Sequence, residues 1–323
     1  MNKPIAIIAG EPNSISSEII FKSWQSKNQF NHKPLFIIGS VYLLNLQKKK
    51  LKYKIKIKKI NNNFRVTDLK KNELPVLNVN YKQKKPFEKI SNKSSKYIFA
   101  CFEEALKLAK NKKISGFINC PVSKEFLFKK KHQGITEFLS KKSKKLGDEV
   151  MLIFNKKLSV SPMTTHIPLK KVSSKIKKTN IVKKIKIINT FYTKILKKKP
   201  NFAILGLNPH NFSQPNKSDE KRIIYRVIKK LKKLKIRVSG PLAADSSFMT
   251  PNIYKFDVII GMYHDEVLTP FKTLYNFNAI NITLGLPYLR ISPDHGVADN
   301  IIGKKIANSE SLIESIKFFN YIK

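Results

Sequence analysis

Three of the chain's six histidines close short motifs of one kind: Thr164-Thr165-His166, Asn208-Pro209-His210 and Tyr263-His264-Asp265. Each motif follows an apolar run that reads as a β-strand, so each imidazole is expected at a strand end, where α/β enzymes collect their chemistry. Three imidazoles with an open fourth position suit a catalytic metal. The histidines lie far apart in the chain and lack a local signature such as HExxH, so three separate hydrogen-bonding roles are the alternative reading. Carboxylates number only 21, which makes those beside histidines or in loops informative. Asp265 follows His264, Asp294 precedes His295, and Asp245 ends Gly240-Pro241-Leu242-Ala243-Ala244-Asp245. Such groups orient metal ligands or take a substrate proton; their alternative use is to cap helices and close turns.

The stretch from His264 to Gly296 also holds Lys272, Asn281 and Arg290, with Gly285 and Pro287 breaking the run. A lysine, an amide and an arginine suit an anion such as phosphate or carboxylate. After the first apolar run, Gly10-Glu11-Pro12-Asn13-Ser14 does not supply GxGxxG, and no Walker pattern occurs. A nicotinamide cofactor would therefore bind outside the usual Rossmann fingerprint.

The elements that must position these residues alternate. Ile5 to Ala9 and Leu35 to Gly39 read as buried strands, with Ser16 to Trp24 as a helix between them. Tyr53 to Ile60 has the period of a half-exposed strand, Ser95 to Lys110 that of an amphipathic helix, and Gly116 to Cys120 is a strand stopped by Pro121. Val150 to Phe154 and Leu158 to Met163 read as paired strands and Ile181 to Lys198 as a helix. Phe202 to Leu207 is the strand that delivers His210, Ser218 to Leu234 is helical, and Val258 to Met262 delivers His264. Ala279 to Leu284 is a further strand, and a helix over Ser309 to Ile322, capped by Asn308 or Ser309, closes the chain. The pattern predicts the α/β class with a mostly parallel sheet. Pro121 to Gly147 is the expected crossing between lobes.

The net charge of +43 would ordinarily point to nucleic acid or an anionic membrane. Of the 64 basic residues, however, five are arginine (Arg65, Arg222, Arg226, Arg237, Arg290), leaving 59 lysines. Arginine is the side chain favoured for bidentate phosphate recognition. A lysine excess accompanied by abundant Asn and Ile is the drift of an AT-biased coding sequence, so we expect a solvated basic surface and no specific nucleic acid partner. No apolar run reaches the roughly 20 residues of a membrane span, and Met1-Asn2-Lys3-Pro4 leads directly into a strand. A cytoplasmic protein without a membrane partner is expected. Cys101 and Cys120 are expected to stay reduced.

Taken together, Gly10-Glu11-Pro12, Pro121-Val122-Ser123-Lys124, Thr136-Glu137-Phe138, Thr164-Thr165-His166, Gly206 to His210, Gly240 to Asp245, Met262 to Asp265, Asn281 to Pro287 and Asp294-His295-Gly296 resemble the 4-hydroxythreonine-4-phosphate dehydrogenase family of pyridoxal phosphate biosynthesis. The resemblance runs in order along nearly the whole chain. It implies a two-lobed α/β/α fold like that of isocitrate and isopropylmalate dehydrogenases, with residues 1–125 and 285–323 in the first lobe and 126–284 in the second. It implies a homodimer with interface active sites, and a divalent metal (zinc, cobalt or magnesium) on His166, His210 and His264. Thr136, Lys272, Asn281 and Arg290 would contact a small phosphorylated hydroxy-amino acid. The metal would lower the pKa of the substrate hydroxyl, hydride would pass to NAD or NADP, and the resulting β-keto acid would lose carbon dioxide. Asp245 and Asp265 are the candidates for proton removal, and Lys272 is counted with them as catalytic.

Departures from the family pattern carry weight. The histidine expected before Thr136 is Ile135, with His132 a candidate substitute. The loop Asn13 to Ser17 has serines where glycines are expected, and Asn211 to Ser218 has no glycine at all. These changes motivate two alternatives: a dehydrogenase of another phosphorylated hydroxy acid, such as threonate or erythronate phosphate, or a catalytically weakened basic binding protein.

Overall fold

Short runs of Ile, Leu, Val and Phe form most strands, because such side chains suit a pleated surface covered on both faces. The computed structural model describes residues 3–29, 33–69, 72–128, 134–211, 218–250 and 252–322. In chain order the first elements are β1 (Ile5–Ile8), α1 (Ser16–Gln25), β2 (Leu35–Gly39), α2 (Val41–Lys50), β3 (Ile57–Ile60), β4 (Leu74–Asn78), α3 (Ser95–Lys110) and β5 (Gly116–Asn119). Then come α4 (Lys124–Phe128), α5 (Ile135–Lys142), β6 (Val150–Phe154), β7 (Ser159–Pro162), α6 (Val172–Lys178), α7 (Ile181–Lys194), β8 (Phe202–Leu205) and α8 (Tyr225–Lys233). The last are β9 (Val238–Leu242), α9 (Ala244–Ser247), β10 (Val258–Gly261), α10 (His264–Tyr275), β11 (Ile280–Leu284), β12 (Arg290–Pro293) and α11 (Glu310–Tyr321).

The chain forms two compact units, Met1–Phe138 with Pro287–Lys323, and Leu139–Leu286. In the first, six parallel strands run in the order β3-β4-β2-β1-β5-β12. Ile5, Ile7 and Ile8 of β1 are almost fully buried, as expected of a central parallel strand, and each such side chain contributes roughly 1.5–3 kcal/mol. In the second unit the order is β11-β6-β7-β10-β8-β9, with β6 antiparallel to both β11 and β7 and the other pairs parallel. Helix α10 lays Val267, Leu268 and Phe271 on a core that includes Val160, Leu205 and Ile259. That packing fixes where its first residue, His264, stands. The α/β class and mostly parallel strands are as the sequence predicts.

Some elements differ from the reading of the sequence. Only Ile57–Ile60 of the Tyr53 to Ile60 run pairs as a strand, although Tyr53 and Ile55 are buried. Alternation reports burial, and at the edge position of β3 burial extends beyond pairing. The helix expected from Ser218 begins as a π-helical turn, Glu220–Ile224, before α8. Helix α7 stops at Lys194, and Lys197 beyond it is left-handed. At the C-terminus Asn308 Oδ1 accepts the Glu310 N–H (2.7 Å), so Asn308 bonds the start of α11 and the side chain of Ser309 does not.

Candidate active site

Strands β7, β10 and β8 are parallel neighbours, so the segments leaving their carboxyl ends begin side by side. His166 follows β7, His264 follows β10 and His210 follows β8. The first two segments are bonded together. Met163 N–H donates to the Gly261 carbonyl (2.8 Å), and the Thr164 N–H and hydroxyl both donate to the Met262 carbonyl (3.1 and 2.7 Å). The His166 and His264 rings accordingly lie close together, centroids 5.7 Å apart and planes tilted by 41°. His264 Nδ1 lies 2.6 Å from Asp265 Oδ1, the kind of contact by which a carboxylate orients a metal-binding imidazole through its other nitrogen.

His210 sits in a single turn, Pro209–Asn211, with φ 49° and ψ 26°. Left-handed backbone at a non-glycine residue costs roughly 1–2 kcal/mol, so surrounding contacts must hold it. Among the described residues, no group of three or more His, Cys, Asp or Glu side chains is gathered closely enough to hold a metal ion. The chain thus brings His166 and His264 together, but not His210 with both. The donors fit zinc or cobalt in kind, since neighbouring imidazoles and a ring-orienting carboxylate are what such ions take.

Two buried glutamates, neither singled out in the sequence, lie behind these turns. Glu220 Oε1 accepts the N–H groups of Leu207 (2.9 Å) and Asn208 (2.8 Å) and the Asn208 amide (3.1 Å). Glu266 Oε2 accepts the N–H groups of Met262 and Tyr263, closing a capping box at the start of α10. Burial pushes the Glu266 carboxyl up to about 8; the N–H groups of Met262 and Tyr263 oppose this and the charge of Glu220 adds to it. The capping box escaped notice because its first residue is Tyr263 where Ser or Thr is usual.

The remaining expected residues of this unit lie on α9, α10 and β11. Asp245 is exposed in α9, with Oδ1 accepting the Ser246 N–H. Lys272 is exposed on α10, whose first residue is His264, and eight residues of helix separate the two by about 12 Å along the axis. Asn281 lies on β11, and its Oδ1 is buried with no hydrogen-bond partner. A buried carbonyl left so costs about 1–3 kcal/mol unless a donor arrives.

In the other unit Arg290, at the start of β12, is 4% exposed. Its Nε donates to Asn119 Oδ1 (2.7 Å) at the end of the neighbouring strand β5. Burial lowers the guanidinium pKa to about 10, against the opposing charges of Tyr288 and Glu137. Thr136 occupies the first turn of α5, and Phe138 of the same turn packs on Phe99, Phe102 and Phe128. Ile135 is 5% exposed, so the position where an imidazole was expected belongs to the apolar core; His132 lies outside the described residues. None of residues 13–17 is left-handed. Ser14 and Ser16 bond inward instead, Ser14 Oγ donating to the Glu11 carbonyl and bonded to Ser16 Oγ. The missing glycines thus bring no backbone strain there, although the buried Ser17 hydroxyl has no hydrogen-bond partner among the described residues. In the second altered loop, residues 212–217 are outside the described residues. Cys101 and Cys120 are free and buried, and burial pushes the Cys101 thiol up to about 12.

Residues 31–319 match the model of the family described as pyridoxal phosphate biosynthetic protein PdxA. A 4-hydroxythreonine-4-phosphate dehydrogenase of Sulfurihydrogenibium sp. (strain YO3AOP1) is 36% identical over 99% of this chain and 98% of its own length. The D-threonate 4-phosphate dehydrogenase of Salmonella typhimurium is 31% identical over 98% of this chain and 97% of its own. A crystal structure of a 4-hydroxythreonine-4-phosphate dehydrogenase from Klebsiella pneumoniae has a TM-score of 0.85 at 26% identity, covering 99% of each chain.

Proposed function

The chain belongs to the family of the pyridoxal phosphate biosynthetic protein PdxA, and on that premise we propose that it oxidises 4-hydroxythreonine 4-phosphate with NAD or NADP. The secondary hydroxyl becomes a ketone as its C–H hydride passes to the nicotinamide. The β-keto acid then loses carbon dioxide to leave 3-amino-2-oxopropyl phosphate. The observation that carries the reading is the bonded pair of turns that sets His166 against His264 at adjacent strand ends. His166, His210 and His264 would hold a divalent cation (zinc, cobalt or magnesium), His210 having to approach the other two, and the cation would supply a Lewis acid that lowers the hydroxyl pKa.

The chain's own groups do the rest. Arg290, held by Asn119, and Thr136 bind anionic oxygen, while the unpartnered Asn281 carbonyl accepts a donor from the substrate's amino or hydroxyl group. Asp265 is engaged with His264, which leaves Asp245 as the better candidate for the hydroxyl proton. Lys272, exposed on α10, would meet a further anionic group of the substrate, and a homodimer with shared sites is the assembly proposed with this reading. Free buried thiols suit a reducing compartment and support a cytoplasmic location.

The buried Ile135 favours a second reading, oxidation of threonate or erythronate phosphate, because the loss of one polar contact changes which substrate leaves the site satisfied. Purified protein with added divalent metal is expected to reduce NAD or NADP with 4-hydroxythreonine 4-phosphate, and His210→Ala is expected to abolish this. Turnover with threonate 4-phosphate alone would transfer the assignment to the second reading, and no turnover by folded, metal-loaded protein on any of these would reject both.

A further inference from the structure

Glu220 opens the helical segment that leads into α8, where an acid is ordinarily placed to meet the free N–H groups of its own helix. Its carboxylate instead reaches back to the segment leaving β8. One oxygen collects the N–H groups of Leu207 and Asn208 and the Asn208 amide, and the other lies 3.3 Å from that amide. Glu220 is 1% exposed, and burying a carboxylate is costly unless several donors compensate it. Immediately beyond those donors the chain turns through the left-handed His210. On the neighbouring strand the pattern recurs, since Glu266 gathers the N–H groups of Met262 and Tyr263 just before His264. The two clamped turns leave the parallel neighbours β8 and β10.

We propose that Glu220 and Glu266 are paired positioning residues, each using a buried carboxyl group to gather the backbone just before a histidine, so that His210 and His264 are held at set places on adjacent strand ends. The claim rests on the functional reading above only in that it concerns the same histidines. Neither glutamate touches substrate. Glu220 acts on a turn that would otherwise relax from its left-handed conformation, and Glu266 on a turn already bonded to Thr164 through the Met262 carbonyl. Because one oxygen of each glutamate takes the backbone N–H groups, a glutamine can keep those bonds. At Glu220 it loses the charge and turns an NH2 toward the Asn208 amide, which weakens the clamp, whereas alanine removes it.

The test uses full-length protein labelled with 13C at histidine Cε1, with His210→Ala to assign the His210 signal. In Glu220→Ala the His210 ring resonance is expected to move and broaden, and in Glu220→Gln to move less, while the thermal transition stays cooperative. Cobalt(II) affinity, read from its visible absorption bands, is expected to fall about 10- to 100-fold, with an altered band shape. Glu220→Asp, which keeps the charge, is expected to recover part of the affinity. A folded Glu220→Ala with an unmoved His210 signal and unchanged cobalt spectrum would overturn the positioning role. If wild-type protein binds no cobalt, the metal reading falls, and the ring resonance still decides for or against the clamp.

Discussion

Glu11 follows β1 with 2% exposure, and burial holds its carboxyl above the usual range despite the Asn13 N–H and the Ser94 hydroxyl. A carboxyl that keeps its proton more tightly in the fold than out of it favours folding fully below its unfolded value of 4.5 and loses that contribution as pH rises through its folded value. Glu11→Gln stays neutral throughout. As pH rises above about 4.5 the stability of wild type relative to Glu11→Gln is therefore expected to decline, as read by urea unfolding; parallel curves would mean that Glu11 ionises without penalty. At this scale the sequence pointed to His166, His264 and Arg290 by residue type alone. It could not show that Asp265 is spent on the His264 ring, nor that Asn119 holds Arg290, because those are facts about neighbours in space.

Helices and strands were largely legible because periodicity and burial agree over long runs, as in α3 and β1. They were less so at β3, where alternation outruns pairing, and at the start of α8, where a π-helical turn replaces the expected helix. The connection after β11 carries its own constraint. Gly285 has φ +84°, and a Cβ there would lie 2.1 Å from the Asp148 carbonyl oxygen. Gly285→Ala is thus expected to lose about 2 kcal/mol or more, from a disallowed backbone and a clash with main chain that a side-chain rotation cannot relieve. Calorimetry on the variant measures this directly, and a change below about 0.5 kcal/mol would show that the connection rearranges at little cost.

For the molecule as a whole the charge of +43 is the dominant long-range feature. Like charges spread over a surface repel and destabilise the compact state, and salt shortens their reach from about 30 Å at 0.01 M to about 3 Å at 1 M. The melting temperature is expected to rise by several degrees over that range. A flat or falling curve would show that the lysines are already balanced locally. Any binding to nucleic acid is expected to vanish with moderate salt and to show no sequence preference.

Residue order alone determined the α/β class, the strand ends that carry the histidines and the family, because hydrophobic period and short motifs are local properties of a chain. Tertiary structure decided which of those histidines meet. Hydrogen bonds between residues 98 positions apart draw His166 to His264, a buried Glu220 braces the turn at His210, and Ile135 is committed to the core. Such outcomes depend on the register of parallel strands and on which donors a buried carboxylate finds, and neither is written in any short window of sequence.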